Sequence, residues 1–471
     1  MIRITEYAGR DVAVYGLGRT GLSAALALKA GGARVHAWDD NYEIRAGAEA
    51  AGIALSDINK RDWQTFAALV LSPGIPYKFP QPHRIVRMAE MTGVPVIGDM
   101  ELFARAVLAM PERGRPKIIG ITGTNGKSTT TMLIGHLLKE AGRDVRIGGN
   151  IGTGVLDLAA LHSNAVYVLE LSSYQLDLVK SLRCNVSVML NLSPDHLDRH
   201  GGMEGYQAAK MRIFQNQTEQ DVAVVGFDDI YTQSMAIGLS ASGPQQVTQI
   251  SSTYTLGKGV SAVDGCLYDN LNGKAQFIGK LEDCPALQGR HNFQNAAAAY
   301  AACRALGLDP SVIMSGLRTF PGLAHRMETV GVLGGVRFVN DSKATNAQAT
   351  EQALRSLRNI YWIAGGVAKA EGIAPLAPLF PHVTKAYLIG QAEEAFSAAL
   401  RGKVPAQMCG TLEKAVEMAF RDAQSTGDTA PVVLLSPACA SFDQFKDYEH
   451  RGDVFRNLVR SLTPAPMKAS A

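Results

Sequence analysis

The chain has 471 residues, 46% of them apolar and 19% charged, with a formal net charge of +3. That length predicts about two to four domains with sizeable cores, and so small a charge gives no footing for nucleic acid or an anionic membrane as a partner. Six cysteines (Cys184, Cys266, Cys284, Cys303, Cys409 and Cys439) lie scattered without a CxxC pair, which argues against a zinc site or a disulfide framework and fits a reducing compartment.

The opening MIRITEYAGRDVAVYG is charged and lacks a basic-then-apolar signal pattern. No uncharged apolar run approaches the length of a membrane span, so a cytoplasmic location is expected. Short apolar runs ending in glycine or polar clusters then alternate with helical patterns, which predicts an α/β chain with parallel sheets. The rhythm restarts three times. The first stretch has strands near 12–15, 34–38 and 68–71 and ends in the charged, proline-bearing linker AMPERGRPK (109–117). The second opens with KIIGIT (117–122), and its region 221–285 is rich in turn residues and reads as a small subsidiary sheet. The third begins near Leu323, with strands at VRFVN (336–340), IYWIAG (360–365), KAYLIG (385–390) and PVVLLS (431–436). The tail TPAPMKASA (463–471) is expected to be disordered. The expected domains are 1–110, 111–322 and 323–471.

In the first stretch, VAVYGLGRTG spaces Gly16, Gly18 and Gly21 as GxGxxG between a strand and a helix, and Asp39 and Asp40 end the next strand. Glycines there permit a tight turn, and the helix N-terminus attracts phosphate. Three readings stand side by side: a nicotinamide or flavin site, a site for another nucleotide diphosphate, and a tight turn without a ligand.

The second stretch carries the strongest local signal, GITGTNGKSTTTMLIGHLL (120–138). A strand enters, glycines turn, Lys127 and Ser128 follow, and a helix begins. Backbone N–H groups cradle phosphates in such a turn, lysine neutralises them, and Ser128 or Thr129 can hold Mg²⁺. The spacing departs from a strict Walker A loop, because Ile121 stands where its first glycine belongs. Two more strands end in chemistry: YVLELSSYQL at Glu170, and VSVMLNLSPDHLDRH at Asn191, Asp195, His196 and Asp198. In an open parallel sheet the strand C-termini line one crevice, so these groups should face the phosphate loop.

GTNGKST, ELSSYQL, NLSPDHLDRH, YQAAKMRIF, GRHNFQNAAAA, HRME, NDSKATN and LSPACASFDQFKDYEHRG occur in this order. Together they resemble the Mur ligase family over nearly the whole chain, and within it the branch that adds D-glutamate to UDP-N-acetylmuramoyl-L-alanine. The resemblance implies three domains: a Rossmann-like domain for the UDP substrate, a central P-loop-type ATPase, and a Rossmann-like C-terminal domain that closes over the site and binds the amino acid. It implies ATP, two Mg²⁺ ions and a monomer. It also turns the first glycine fingerprint toward a UDP diphosphate, with Gly18, Arg19 and Thr20 beside it. Asp39, Asp40 and Asn41 would lie by the uridine, and Ser72, Pro73, Gly74, Asn150 and His196 would add contacts to the substrate.

Further roles carry over by resemblance. Gly123, Thr124, Asn125, Gly126, Lys127, Ser128 and Thr129 would grip the ATP phosphates. His291, Asn292 and Asn295 would lie on the adenine side, and Asp341 and Lys343 would also touch the nucleotide. Arg326 would reach the γ-phosphate. Ser128, Glu170, His196 and Lys210 would serve the metals, Lys210 after carbamylation by CO₂. Lys343, Thr345, Lys369, Ser441 and Tyr448 would form the D-glutamate pocket. Three positions depart from the family pattern: Val367 where an acidic residue is common, Tyr448 in place of phenylalanine, and Arg19 inside the glycine turn. The implied course is phosphorylation of the substrate carboxylate followed by attack of the amine. A nicotinamide dehydrogenase would instead show NADH turnover, and a nucleotide-dependent switch would bind ATP without amino-acid-dependent phosphate release.

Overall fold

The computed structural model describes residues 1–369 and 372–462. The tail expected to be disordered lies outside the described residues, as do positions 370 and 371 beside Lys369. The chain divides into two compact units, Met1–Pro321 and Gly322–Ala471.

The first unit contains two sheets. The smaller has four parallel strands in the order Arg34–Trp38, Asp11–Tyr15, Phe66–Leu71 and Val96–Ile97. Its central strands bury nearly every side chain, as parallel strands covered on both faces must. The turn after Asp11–Tyr15 is possible only with glycine. Gly16 has φ +86°, and a Cβ at Gly21 would stand 1.7 Å from the Gly16 carbonyl oxygen.

The larger sheet has nine strands. Six run in parallel, from Asp144–Gly149 at one edge through Ala165–Glu170, Lys117–Thr122, Val186–Met189 and Val222–Gly226 to Gln246–Ser251. Val260–Val263 continues the parallel run, and Cys266–Asp269 and Gln276–Lys280 close it antiparallel. The subsidiary sheet expected over 221–285 is therefore part of the main one. Gln246–Ser251 is mostly half-exposed, and so reads as irregular in sequence although its ladder with Val222–Gly226 is continuous.

The helix Arg290–Ala305 packs its buried run Ala296–Ala302 onto this sheet and against Leu133 and Leu137 of the helix Lys127–Glu140. Small side chains let the two helices approach the strands closely, and the glycine turn 123–126 is seated on that layer. The two sheets also share a core: Val14, Leu28, Phe103, Leu156 and Tyr167 belong to one buried cluster. The Ile2 amide donates to the Leu156 carbonyl at 2.7 Å.

The second unit is a six-stranded sheet in the order Glu328–Leu333, Val336–Asn340, Val432–Leu435, Ile360–Gly365, Val383–Ile389 and Ala406–Gly410. Only the first pair is antiparallel. A two-stranded ribbon, Val367–Ala368 with Cys439–Ala440, lies beside it. All six cysteines are free thiols. Among the described residues, no helix is long and apolar enough to cross a membrane.

Candidate active site

The strand Lys117–Thr122 delivers the chain into a turn at Gly123 (φ +147°) and Gly126 (φ +84°), and the helix Lys127–Glu140 begins at once. Both glycines are required by packing as well as by φ. A Cβ at Gly126 would lie 2.3 Å from Asn295 Oδ1, and one at Gly123 would lie 3.0 Å from Leu190 Cβ. The turn is held from the next strand end. Asn191 Oδ1 accepts from the Asn125 amide at 2.9 Å, and the Asn191 carbonyl accepts from the Thr124 amide at 2.9 Å. Lys127 Nζ arches back over the loop, donating to the carbonyls of Gly123 (3.0 Å) and Thr124 (2.7 Å). Ser128 and Thr129 follow in the first helical turn, where N–H groups and the helix dipole favour an anion.

Glu170 ends the neighbouring strand and is 3% exposed. Its Oε2 accepts from Ser128 Oγ at 2.7 Å and its Oε1 from Asn150 Nδ2 at 2.7 Å. This gathers the phosphate-loop hydroxyl, a carboxylate and the GGNIG asparagine at one point. Lys210, 1% exposed on the helix Met203–Met211, comes in beneath the loop. Its Nζ donates to the Gly123 carbonyl at 2.8 Å and to Thr122 Oγ1 at 3.2 Å. Burial, and next the Lys127 cation, push the Lys210 amine down to about 7, against the opposing pull of Asp195 and Glu170. His196 stands in the left-handed region (φ 52°) at the head of the short helix Leu197–His200, half-exposed. Its Nε2 lies 3.4 Å from Asp195, and its ring packs on Tyr174 at 5.1 Å. On the helix Arg290–Ala305, His291 is exposed and Asn292 half-buried, while Asn295 accepts from Thr130 Oγ1 and donates to Asn292.

At the end of the smaller sheet, the glycine turn is closed by the Leu17 amide donating to Asp39 Oδ2 at 2.7 Å. Asp39 Oδ1 also accepts from the Asn41 amide, and Asn41 caps the next helix through Glu43 and Ile44. Asp40 is exposed. Thr20 and Ser72 hydroxyls stand 3.5 Å apart, which sets the SPG segment (Ser72, Pro73, Gly74) against the turn. Arg19, unexpected inside a glycine turn, reaches the Gly152 carbonyl at 2.9 Å, just past Asn150. Gly18 has open space at its Cβ position.

In the second unit, His325 (φ 61°) and Met327 (φ 48°) bracket Arg326 in a tight turn. Asp341 accepts from the Met327 amide at 3.2 Å and from Ser436 Oγ at 2.7 Å. Burial raises its carboxyl to about 7, although Ser436, Met327 and Arg326 pull it down. Lys343 Nζ lies 5.8 Å from the centre of the Tyr448 ring, and the Thr345 amide donates to the Lys343 carbonyl. Ser441, 2% exposed, and Lys369 follow the two paired strands of the ribbon.

Sequence reasoning missed the groups that hold these loops. Arg451, 1% exposed, donates to Ser342 Oγ, to the Ser342 carbonyl and to the Cys439 carbonyl, joining NDSKATN to SPACASF. Tyr206 donates to or accepts from Thr124 Oγ1 at 3.1 Å and lays its ring 4.9 Å from Lys210 Nζ. Gln294 bridges Asn191 and Asp228. A cavity of about 250 Å³ opens at the N-terminal ends of central strands of the large sheet, lined by Lys117, Asn185, Val222 and Leu306, away from the strand C-termini that carry these groups.

Two family descriptions match this chain: "Mur ligase middle domain" over residues 121–303, and "Mur ligase, glutamate ligase domain" over residues 325–439. A UDP-N-acetylmuramoylalanine--D-glutamate ligase of Caulobacter vibrioides is 56% identical over 470 residues, covering 100% of both chains. The chain belongs to the Mur ligase family. A protein of the same name from Phenylobacterium zucineum is 55% identical, again covering 100% of both. Among solved structures, a UDP-N-acetylmuramate-alanine ligase from Thermotoga maritima shares the Mur ligase fold with a TM-score of 0.56 at 16% identity, covering 96% of this chain and 99% of its own. The oxygen-rich point at Ser128 and Glu170 suits Mg²⁺, a hard cation that takes carboxylate, hydroxyl and phosphate oxygens.

Proposed function

We propose that this Mur ligase joins D-glutamate to UDP-N-acetylmuramoyl-L-alanine at the expense of ATP, as a cytoplasmic step of peptidoglycan precursor synthesis. Full-length identity of 56% to ligases of that name supports the substrates. One observation carries the chemistry: Lys127, Ser128, Glu170 and Lys210 converge on a single phosphate loop.

A carboxylate is a poor electrophile toward an amine. Attack of the substrate carboxylate on the γ-phosphorus of ATP forms an acyl phosphate and releases ADP. The D-glutamate amine then attacks the acyl carbon, the tetrahedral intermediate expels phosphate, and the amine proton is lost to water. Transfer of a phosphoryl group needs positioning and charge neutralisation more than covalent help. Lys127 and the helix N-terminus supply both at the β- and γ-phosphates. Ser128 and Glu170 would hold Mg²⁺, which neutralises phosphate oxygens when bound. The Lys210 amine is neutral in part near pH 7 and so can add CO₂, losing a proton and becoming a carbamate that would serve a second Mg²⁺ with His196. Gly18, Arg19, Thr20, Asp39 and Ser72 are read as the UDP end of the substrate site, and His291, Asn292 and Asn295 as the adenine side. In the second unit, Arg326 and Asp341 are read as nucleotide contacts and Lys343, Thr345, Lys369, Ser441 and Tyr448 as the D-glutamate pocket. Residues 1–110, 111–322 and 323–471 are read as the three functional domains of a monomer.

The test is phosphate release with ATP, Mg²⁺ and UDP-N-acetylmuramoyl-L-alanine, with D-glutamate, L-glutamate, D-alanine or no amino acid in parallel. Release that requires D-glutamate is expected. Release with another amino acid moves the enzyme to a sister specificity, and no release in any arm overturns the ligase reading.

A further inference from the structure

Arg199 lies three residues beyond His196, in the helix Leu197–His200. Its Nη1 donates to the Gly74 carbonyl at 3.1 Å. Its guanidinium carbon stands 4.6 Å from the centre of the Tyr174 ring, whose own neighbour is His196. The guanidinium therefore spans the SPG segment of the small sheet and the histidine loop of the large one.

That span does not depend on the charge of Arg199. Lys78 meets Asp177 at 3.7 Å, and Asp177 meets His200 Nδ1 at 3.3 Å. Gly201 packs so tightly on the Phe79 ring that a Cβ there would lie 2.6 Å from it. These contacts already dock the two loops. Among the described residues Arg199 forms no ion pair, and its Nε is buried without a hydrogen-bond partner. Asp195 is drawn to His196 instead. Arginine carries five donors, and a half-buried guanidinium given one carbonyl and one aromatic face keeps most of them unmatched. Such a cation, beside a loop read as a substrate contact, fits an anion that is bidentate or nearly so.

We propose that Arg199 binds an anionic oxygen of the UDP-linked substrate, either its diphosphate or its carboxylate. This rests on the ligase reading above. The Tyr174 ring and the Gly74 carbonyl hold the guanidinium in place in advance, which lowers the entropy cost of the contact.

The test is titration calorimetry on the full chain and on Arg199→Met and Arg199→Lys, with UDP, UDP-N-acetylmuramoyl-L-alanine and a non-hydrolysable ATP analogue. The methionine variant should bind the full substrate at least about tenfold more weakly, the usual scale for one charged contact. Affinity for the ATP analogue should be unchanged, and lysine should restore part of the loss. In both variants, KM for the UDP substrate should rise while KM for ATP holds. Parallel weakening of UDP identifies the diphosphate as the anion, and unchanged UDP binding identifies the carboxylate. Wild-type affinity for the full substrate in Arg199→Met overturns the assignment, as does an equal loss for the ATP analogue, which a collapsed loop would give. A wild-type protein that binds no UDP substrate removes the ligase reading, and this inference with it.

Discussion

Lys210 is the buried amine of the site proposed on the large sheet. A lysine 1% exposed, with Thr122 Oγ1 and the Gly123 carbonyl as its hydrogen-bond acceptors among the described residues, is held charged only at a heavy desolvation cost. Its amine falls from the ordinary 10.5 to about 7. The folded protein thus binds fewer protons than the unfolded chain between those values, and wild-type stability rises with pH across that window. Lys210→Ala should erase this slope and leave the melting temperature at neutral pH no lower. Phosphate release should fall by about a hundredfold or more, the scale of losing one charge-stabilising group, and a small carboxylic acid should restore part of it. Full activity without additive would end the metal role of Lys210. Local pattern alone reads this residue as an ordinary solvated helical lysine. Its burial depends on Tyr206 and on the phosphate loop 87 residues away, and only the AAKMRIF resemblance marked it. Lys127 and Glu170 were easier, because spaced glycines and strand ends announce them locally.

Elements were legible in proportion to how completely they are buried. AVYVLE and IYWIAG bury every residue, and such unbroken apolar runs are the plainest strand signal. QVTQIS is a strand of the same sheet but exposes much of its length, so its polar pattern suggested a separate, less regular piece. The glycine turn of the small sheet gives a test at this scale. Gly21→Ala places a Cβ 1.7 Å from the Gly16 carbonyl oxygen, between backbone atoms that cannot rotate away. The strand and helix must separate, at a cost of about 3 kcal/mol, and binding of the UDP substrate should weaken with it. Gly18→Ala, two residues from Gly16 with nothing within 4 Å of its Cβ position, should melt like the wild type. Thermal melts of both variants decide the matter: equal melting temperatures would mean that the turn opens without strain.

Each of the two units carries its own hydrophobic clusters and a carboxyl group that burial raises strongly. In the first unit, burial raises Asp99 to about 6, against the weaker opposing pull of the Met100 amide and Gln175, and among the described residues its Oδ1 has no hydrogen-bond partner. In the second, burial raises Asp341 to about 7. The sign is the reverse of an ordinary ion-paired carboxylate. A folded value above the unfolded 3.8 means that the folded state holds the proton more tightly. Stability is then greatest below about 4 and is lost as pH rises to the folded value, on the order of 3 kcal/mol for Asp99 and 4 for Asp341. Asp99→Asn should remove the slope between pH 4 and 6 from the melting of the first unit alone. Asp341→Asn should remove the slope between pH 4 and 7 from the second alone, though it also weakens the Ser436 and Met327 contacts. Scanning calorimetry at several pH values separates these outcomes. Two transitions, each flattened by its own substitution, mean that the units unfold independently; a single transition flattened by either means that they melt as one cooperative body.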